Sequence, residues 1–162
     1  MTVVLVTGMS GAGKSAVLAE LERRGHEVVD TDYGDWIDRS GPEPLWRQDR
    51  IAALLDGHSG GTLFVAGCVA NQGRFYPRFE AVVLLSAPTD VILERVAARE
   101  SNEFGKTDEK REKIVSDLEQ FEPILRAGAT NEIDTRVPIA EVADELERLA
   151  NAAATSRADE SE

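Results

Sequence analysis

The chain has 162 residues, with 30 acidic and 18 basic side chains and a formal net charge of −12. This length predicts one domain, and the acidic balance argues against nucleic acid and anionic membranes as partners, because both select a basic face. A single cysteine excludes an internal disulfide, and the chain has no Cys/His spacing typical of zinc sites.

The two ends of the chain give expectations about location and domain extent. No apolar run approaches the about 18 residues of a membrane span, and the N-terminus lacks a basic segment and a cleavage site. We therefore expect a cytoplasmic protein. Residues 151–162 are small, polar and acidic, which predicts a frayed helix end and a disordered tail after a domain of residues 1–150.

The first elements in the chain are a strand, a glycine-rich loop and a helix. Residues 2–7 are apolar and β-branched, as in a buried parallel strand, and residues 16–24 contain helix formers. Between them, GMSGAGKS at residues 8–15 fits the phosphate-binding loop G-x-x-x-x-G-K-[ST]. A turn that only connects strand to helix is a poor alternative, because it needs no Lys or Ser at these positions.

This loop predicts ATP and Mg²⁺ as cofactors. Its glycines let backbone N–H groups turn toward phosphate oxygens, and the helix presents its positive end to them. We expect Lys14 to reach the β- and γ-phosphates and the Ser15 hydroxyl to ligate Mg²⁺. The predicted nucleotide-contacting residues of the loop are Gly8, Met9, Ser10, Gly11, Ala12, Gly13, Lys14, Ser15 and Ala16.

The second predicted strand, residues 26–30, is followed by an acidic pair, Asp30 and Asp32. Residues two apart at a strand end point to the same side, and in an open parallel sheet that end faces the ligand crevice. One carboxylate could support Mg²⁺ while the other accepts a proton from an attacking hydroxyl, and the order of these roles stays open. A solvated acidic turn is the alternative, which we prefer for Asp35 and Asp38.

Arginines cluster further along the chain. Arg47 and Arg50 are three apart on a predicted helix and share a face, and Arg74 and Arg78 bracket the loop after the third predicted strand, residues 62–67. Arginine suits bidentate recognition of carboxylate or phosphate, so we predict a small anionic acceptor. Each arginine alone is more often a surface salt-bridge partner.

Three other side chains in this region have two interpretations. Trp36 and Trp46 could pack on a ring-shaped acceptor, and a place in the buried core is an equally good interpretation. Cys68 follows the third strand near the predicted crevice, and a small buried hydrophobe is the preferred interpretation.

The second half of the chain continues the alternation. Residues 81–87 and 129–134 predict two more strands, and a helix follows Pro88. The polar segment after that helix predicts a short helical lid over residues 100–111, with a plain loop as the alternative. Apolar residues at helical spacing mark two further helices, one with Ile114, Leu118, Phe121 and Leu125 and one with Ile139, Val142, Leu146 and Leu149.

Five strands that alternate with helices predict an α/β chain with a five-stranded parallel sheet in three α/β/α layers. Together with the phosphate-binding loop, this is the P-loop NTPase fold. From residue 1 to about residue 150 the chain resembles the small P-loop kinases, which include shikimate kinase, gluconate kinase and the nucleoside monophosphate kinases. The resemblance to shikimate kinase extends to the Asp-Thr-Asp turn, the Trp46-Arg47 pair, Gly67, and Arg99 with Lys106.

The resemblance implies roles for individual residues. Asp32 would deprotonate the acceptor, Asp30 would support Mg²⁺, and Arg136 with Pro138 would stack on adenine. Arg99, together with Lys106 or Arg95, would close over the transferring phosphoryl group. The predicted catalytic residues are Lys14, Asp32 and Arg99, and the predicted acceptor-binding residues are Asp32, Arg47, Arg50, Gly67 and Arg74.

Departures from the kinase patterns limit the acceptor. The triple glycine of shikimate kinases is Ala66-Gly67-Cys68 here, and Phe121 stands where that family has an arginine for the shikimate carboxylate. The chain also lacks the G-F-P-R segment of adenylate kinases and the D-G-D-x-x-H of gluconate kinases. We therefore predict a cytoplasmic ATP-dependent kinase, monomeric or a weak homodimer, for which shikimate is not the acceptor.

Two alternatives stay open. One is a nucleoside or nucleoside monophosphate kinase, in which Asn71 and Gln72 would read a base edge. The other is an NTP hydrolase or nucleotide-dependent switch that acts on a protein partner. That class usually has a strand ending in an aspartate, and the fourth strand here ends in Ser86-Ala87-Pro88.

Overall fold

The computed structural model describes residues 2–9, 11–58, 60–99 and 107–160, with residues 99, 107 and 156–160 described by their backbone alone. The strands are β1 (Thr2–Thr7), β2 (Glu27–Asp30), β3 (Ile37–Asp38), β4 (Leu45–Trp46), β5 (Thr62–Ala66), β6 (Ala81–Ser86) and β7 (Asn131–Asp134). The helices are α1 (Lys14–Arg23), α2 (Gln48–Gly57), α3 (Thr89–Arg99), α4 (Thr107–Gly128) and α5 (Ile139–Glu160), with a 3₁₀ helix at Gln72–Arg78.

A five-stranded sheet forms the centre of the molecule, in the order β2-β5-β1-β6-β7. Its neighbouring strands are all parallel, which confirms the predicted fold class. The chain moves from β1 to one side of the sheet and later to the other, so the strand order reverses at β1. Open α/β sheets bind ligands at the carboxyl end of the strands at such a point, which is where the glycine-rich loop follows β1.

Alternating side chains of the central strands supply two separate cores. Val4 and Val6 of β1 pack with residues of α1 and α5, whereas Val3 and Leu5 pack with residues of α2 on the opposite face. Because successive side chains of a strand point to opposite faces, a strand that is apolar throughout must be covered on both sides. This produces the predicted three layers.

A two-stranded antiparallel sheet, β3 with β4, was not predicted. Each of its strands has two residues, too few for an alternating pattern to be visible in the sequence. The hairpin ends at Trp46, so that Arg47 precedes α2 and does not lie within it. It nevertheless brings residues 35 and 47 together, which matters for the site.

Two helices differ in detail from their predicted stripes and ends. On α4, Leu118 and Leu125 are buried as predicted, but Phe121 is 46% exposed. Helix α5 continues to Glu160, through residues that the sequence assigned to a disordered tail, because its small residues and alanines are compatible with helix.

Most of the predicted lid, residues 100–106, lies outside the described residues, and its described part forms the first turn of α4. Among the described residues, no helix has the length and apolar character needed to cross a membrane.

Candidate functional site

The loop between β1 and α1 is held in its conformation by glycines. A Cβ atom on Gly8 would lie 2.6 Å from the Leu85 carbonyl oxygen, so only glycine fits beside β6. Gly11 and Gly13 have φ angles of +84° and +101°, which L side chains rarely adopt. The loop therefore curls back on itself before α1 begins at Lys14, as phosphate binding requires.

The Lys14 side chain reaches back over this loop. Its Nζ donates hydrogen bonds to the carbonyl oxygens of Gly8 and, at 3.3 Å, of Met9. The ammonium group is thus held above the curve of the loop, at the positive end of α1. Ser10, which the sequence places in the same loop, lies outside the described residues.

A hydroxyl and a carboxylate meet beside Lys14. Ser15 Oγ donates to Asp30 Oδ2 at 2.7 Å, and Asp30 Oδ1 accepts from the backbone N–H of Asp32 at 3.1 Å. Asp30 therefore faces the loop from the end of β2, whereas the exposed carboxylate of Asp32 lines the neighbouring cleft. The structure thus brings the two aspartates together with Ser15 and Lys14, but in different surroundings. Asp30 is hydrogen-bonded to Ser15, whereas the Asp32 carboxylate is exposed at the cleft.

The oxygen donors at this point fit Mg²⁺. Among the described residues there is no cluster of three or more His, Cys, Asp or Glu side chains that could hold a metal ion. Mg²⁺ is commonly bound by one or two protein oxygens together with substrate phosphates and water. The Ser15–Asp30 pair beside a phosphate-binding loop supplies such a donor set.

A cleft of about 760 Å³ runs from the loop to the start of α5. One end is lined by Gly13, Lys14, Ser15 and Asp32, and the other by Arg136, Val137 and Pro138. Pockets of this size hold cofactor-sized ligands. Of the nine predicted loop residues, five among those that the structure describes thus share one cavity with the predicted adenine-stacking residues; the five are Gly11, Gly13, Lys14, Ser15 and Ala16.

Arg95 of α3 joins the two ends of this cleft. Its guanidinium donates to the Gly11 carbonyl at 3.1 Å and to the hydroxyl and carbonyl oxygens of Thr135 at 2.8 and 2.7 Å. The sequence favours Arg99, four residues later, with Arg95 as an alternative, but it does not predict this bridge, because the partners of Arg95 are distant in sequence. The side chain of Arg99 lies outside the described part of the chain.

Arg47 and Arg50 share a carboxylate. Arg47 Nε lies 3.2 Å from Asp35 Oδ1, and Arg50 donates to Asp35 Oδ2 at 2.9 Å and to the Asp35 carbonyl at 2.8 Å. The Arg50 guanidinium also lies 5.8 Å from the centre of the Trp36 ring. The two arginines do share a surface, as predicted from their spacing. Their partner Asp35 is solvated, as the sequence suggested, with its side chain 69% exposed, but it is also paired with both arginines.

The polar side chains that follow β5 mainly form hydrogen bonds and ion pairs with other residues of the protein. Asn71 pairs with the backbone of Trp46, and the buried Gln72 bonds Val69, Thr7 and Tyr76. These contacts occupy both amides that a nucleoside monophosphate kinase would need for a base edge. Arg78 pairs with Asp56, and Arg74 is exposed on the 3₁₀ helix, outside the set of residues that line the cleft.

Gly67 and Trp46, both candidates for acceptor contact, are buried. A Cβ atom on Gly67 would lie 2.7 Å from the Trp46 ring, so the glycine makes room for the indole. Burial also raises the pKa of the nearby Cys68 thiol above its ordinary value, which keeps the group protonated and supports its interpretation as a small hydrophobe.

The family model described as AAA domain matches residues 4–116. The chain belongs to this AAA domain family. The match begins in β1 and includes the glycine-rich loop, the aspartate pair and the Arg47–Asp35–Arg50 cluster. A P-loop fold of this kind implies nucleotide binding.

Curated relatives of this AAA domain are named for nucleotide binding. A nucleotide-binding protein from Gluconacetobacter diazotrophicus is 33% identical over 82% of this chain and 37% of its own length. One from Thermosipho melanesiensis is 30% identical over 69% of this chain and 40% of its own length. The chain thus spans about two-fifths of the length of these relatives.

Solved structures with the same fold include small kinases. Shikimate kinase from Acinetobacter baumannii, in complex with shikimate, superposes with a TM-score of 0.66 at 21% identity, covering 94% of both chains. A gluconokinase from Sinorhizobium meliloti 1021 gives 0.56 at 22% identity, covering 96% of this chain and 97% of that chain. These likenesses confirm the fold and the resemblance to the small P-loop kinase group.

Proposed function

We propose that this AAA domain is an ATP- and Mg²⁺-dependent kinase that transfers the γ-phosphoryl group to a small anionic acceptor other than shikimate. The observation that carries the proposal is one cleft lined by Lys14, Ser15 and Asp32 at one end and by Arg136 and Pro138 at the other. A nucleotide can lie along it with its phosphates at the loop and its base against Pro138. The acceptor then approaches from the side of Asp32.

The polar groups at the loop end of the cleft, with Asp30 beside them, each have a task in this reaction. The loop N–H groups and Lys14 bind the β- and γ-phosphates, and Ser15 with Asp30 would hold Mg²⁺, which neutralises phosphate charge when bound. Asp32 accepts the proton of the acceptor hydroxyl. The acceptor oxygen forms a bond to the γ-phosphorus as the bond to the β–γ bridging oxygen breaks, and ADP leaves. Positioning and charge stabilisation account for most of the acceleration.

The acceptor's charge is inferred from the cluster of Arg47, Asp35 and Arg50. This cluster holds two positive charges against one negative charge, and its side chains are 43 to 69% exposed. Exposed ion pairs are weak, about 0–1 kcal/mol, so a carboxylate or phosphate can displace Asp35 and bind both guanidinium groups. A neutral acceptor has no such advantage.

The test is ADP release from Mg-ATP with acceptors offered in pairs that differ in charge. Suitable pairs are a sugar acid with its neutral sugar and a nucleoside monophosphate with its nucleoside, each beside a reaction without acceptor. We expect stimulation by the anionic member of one pair. Equal stimulation by the neutral member contradicts an anionic acceptor, and a rate that no compound alters contradicts the kinase.

A nucleotide-dependent switch or NTP hydrolase is the second candidate function. It is favoured by the names of the curated relatives, which describe nucleotide binding, and by their greater length. In that case the P-loop domain would report its nucleotide state to a protein partner. Acceptor-independent hydrolysis of physiological rate in the same experiment supports this candidate.

A further inference from the structure

Trp46, at the end of the β3–β4 hairpin, is tied to the aspartate turn by buried hydrogen bonds. Its indole N–H donates to Thr31 Oγ1 at 3.0 Å, and the Thr31 hydroxyl donates to the Ala66 carbonyl at 2.8 Å. Trp46 is 2% exposed and Thr31 1% exposed. The indole is therefore connected through Thr31 to the carboxyl end of β5.

The backbone of Trp46 is fixed as well. Asn71 Oδ1 accepts from the Trp46 N–H at 2.9 Å, and Asn71 Nδ2 donates to the Trp46 carbonyl at 3.1 Å. The Trp46 ring meets the Phe75 ring at 62°, with 6.0 Å between centroids. Because both the backbone and the ring have fixed partners, the indole N–H has one available direction.

The contact between Trp46 and Thr31 leaves no room for a side chain at Gly67. A Cβ atom there would lie 2.7 Å from Thr31 Oγ1 and 2.7 Å from Trp46 Cζ2. The absence of a side chain at residue 67 is therefore required for the Trp46–Thr31 hydrogen bond. This accounts for the glycine after β5 without a contact to an acceptor.

Thr31 lies between Asp30 and Asp32 in the sequence, and these residues carry the two carboxylates of the proposed site. Its own N–H donates to the Ala66 carbonyl at 3.0 Å, so both its backbone and its side chain bind the end of β5. Asp30, which precedes Thr31, accepts hydrogen bonds from the Ser15 hydroxyl and from the N–H of Asp32, which follows Thr31. Thr31 therefore fixes the stretch of backbone from which both carboxylates extend.

We propose that Trp46 and Thr31 are positioning residues that hold the Asp30 carboxylate beside Ser15 Oγ, where the two groups would bind Mg²⁺. The inference rests on the proposed function, since it takes Ser15 and Asp30 as the protein groups that hold Mg²⁺. Buried, fully paired networks of this kind fix a geometry, and functional side chains depend on such supporting shells. Neither residue touches the nucleotide or acceptor in this scheme.

The experiment measures the dissociation constant of ATP by calorimetry, in Mg²⁺ and in EDTA, for four proteins. These are the wild type, Thr31→Val, Trp46→Phe and the conservative control Thr31→Ser. We expect the Mg²⁺-dependent gain in affinity to fall about fivefold in Thr31→Val and Trp46→Phe, the ratio that corresponds to one hydrogen bond of about 1 kcal/mol. The affinity in EDTA stays at the wild-type value, because the glycine-rich loop is unchanged, and Thr31→Ser keeps the full gain.

Thermal unfolding of the same proteins separates positioning from stability. A purely structural role lowers the unfolding temperature of Thr31→Val and Trp46→Phe and leaves the ratio of ATP affinities unchanged, and that result overturns the inference. If Thr31→Val does not fold, the comparison of Trp46→Phe with wild type decides alone. Loss of the gain in Thr31→Ser also overturns it, because the hydroxyl is still present.

Failure of the proposed function is recognised separately. A wild-type protein with no Mg²⁺-dependent gain contradicts the metal-binding role of Ser15 and Asp30, and it overturns this inference with it. A gain that is present in the wild type and reduced in the two variants supports the inference, even where no acceptor stimulates ADP release and the kinase proposal fails.

Discussion

At the residue scale, the best-supported parts of the site are those that a local motif predicts. Lys14 and Ser15 are specified by the loop pattern, and Asp30 by its place at a strand end. The pairing of Asp35 with Arg47 and Arg50 could not be predicted, because it depends on a hairpin that has no sequence signal. Burial of Trp46 is one of two interpretations of the sequence, but its contacts with Gly67 and Asn71 could not be predicted, because they join distant segments.

Replacement of Lys14 tests the phosphate end of the cleft. Lys14→Ala removes the ammonium group that lies over the loop, and we expect acceptor-stimulated ADP release to fall about 100-fold or more. The far-ultraviolet circular dichroism spectrum should remain that of the wild type. Lys113→Ala is the matched control, because this exposed lysine pairs with Asp117 on α4. Comparable activity in both variants would contradict the role of Lys14.

Asp30 and Asp32 differ in their contacts, so we expect substitutions of the two residues to affect different kinetic parameters. Asp30→Asn alters the partner of Ser15, so the Mg²⁺ concentration needed for half-maximal turnover should rise. Asp32→Asn removes the proposed base and should lower kcat about 100-fold without a change in ATP affinity. Steady-state kinetics at varied Mg²⁺ separates the two. The opposite assignment of effects would exchange the roles of Asp30 and Asp32.

At the element scale, the central strands β1, β5 and β6 could be predicted because they are buried on both faces and therefore read as continuous apolar runs. The edge strands β2 and β7 are only partly buried, and their patterns are correspondingly weaker. The hairpin strands could not be predicted, since two residues carry no period. Helical periodicity located α4, but it did not show that Phe121 lies at the solvent side of the apolar stripe. Helix ends are the least predictable feature, as the length of α5 shows.

Arg24 adds a polar link between α1 and α5 to their shared apolar core. Its guanidinium binds Glu20 on α1 and both Asp144 and Glu147 on α5, and it donates to the Ala140 carbonyl. Arg24→Ala should therefore lower the temperature of thermal unfolding. Arg23→Ala should lower it less, because Arg23 is 73% exposed and pairs with Glu20 on its own helix. Equal shifts for the two variants would rule out a role for Arg24 in holding α5.

The same contact has a defined pH dependence. Hydrogen bonds from His26 and Arg24 lower the pKa of Glu147, so the folded state favours the carboxylate. Its contribution to stability is complete above the ordinary pKa of a glutamate and is lost as the pH falls through the lower value in the folded protein. The difference between Arg24→Ala and wild type should therefore be smaller at about pH 3 than at neutral pH.

Arg95 connects the two ends of the cleft in which we propose that the nucleotide lies. Arg95→Met removes its hydrogen bonds to Gly11 and Thr135, which should weaken ATP binding about tenfold, as expected for hydrogen bonds of a charged group. Arg95→Lys keeps the positive charge but not the planar guanidinium group. Its affinity for ATP should therefore lie between those of the wild type and Arg95→Met. Calorimetric titration with ATP measures both. Wild-type affinity in Arg95→Met would show that the bridge does not shape the cleft.

At the scale of the whole molecule, the fold and the nucleotide end of the cleft follow from the sequence, but the acceptor does not. Phosphate binding uses backbone N–H groups and a short motif, whereas acceptor selection uses side chains from distant segments, such as Asp35 and Arg50.

The fate of the γ-phosphoryl group is the most direct measurement. ATP labelled at the γ-phosphate is incubated with Mg²⁺, the wild-type protein and the best acceptor of the charge-matched pairs, and the label is separated into acceptor phosphate and inorganic phosphate. A kinase with Asp32 as base transfers most of the label to the acceptor, and Lys14→Ala transfers it at a rate lower by about 100-fold or more. Label found only in inorganic phosphate, at a rate independent of acceptor, would contradict the kinase and support the nucleotide hydrolase.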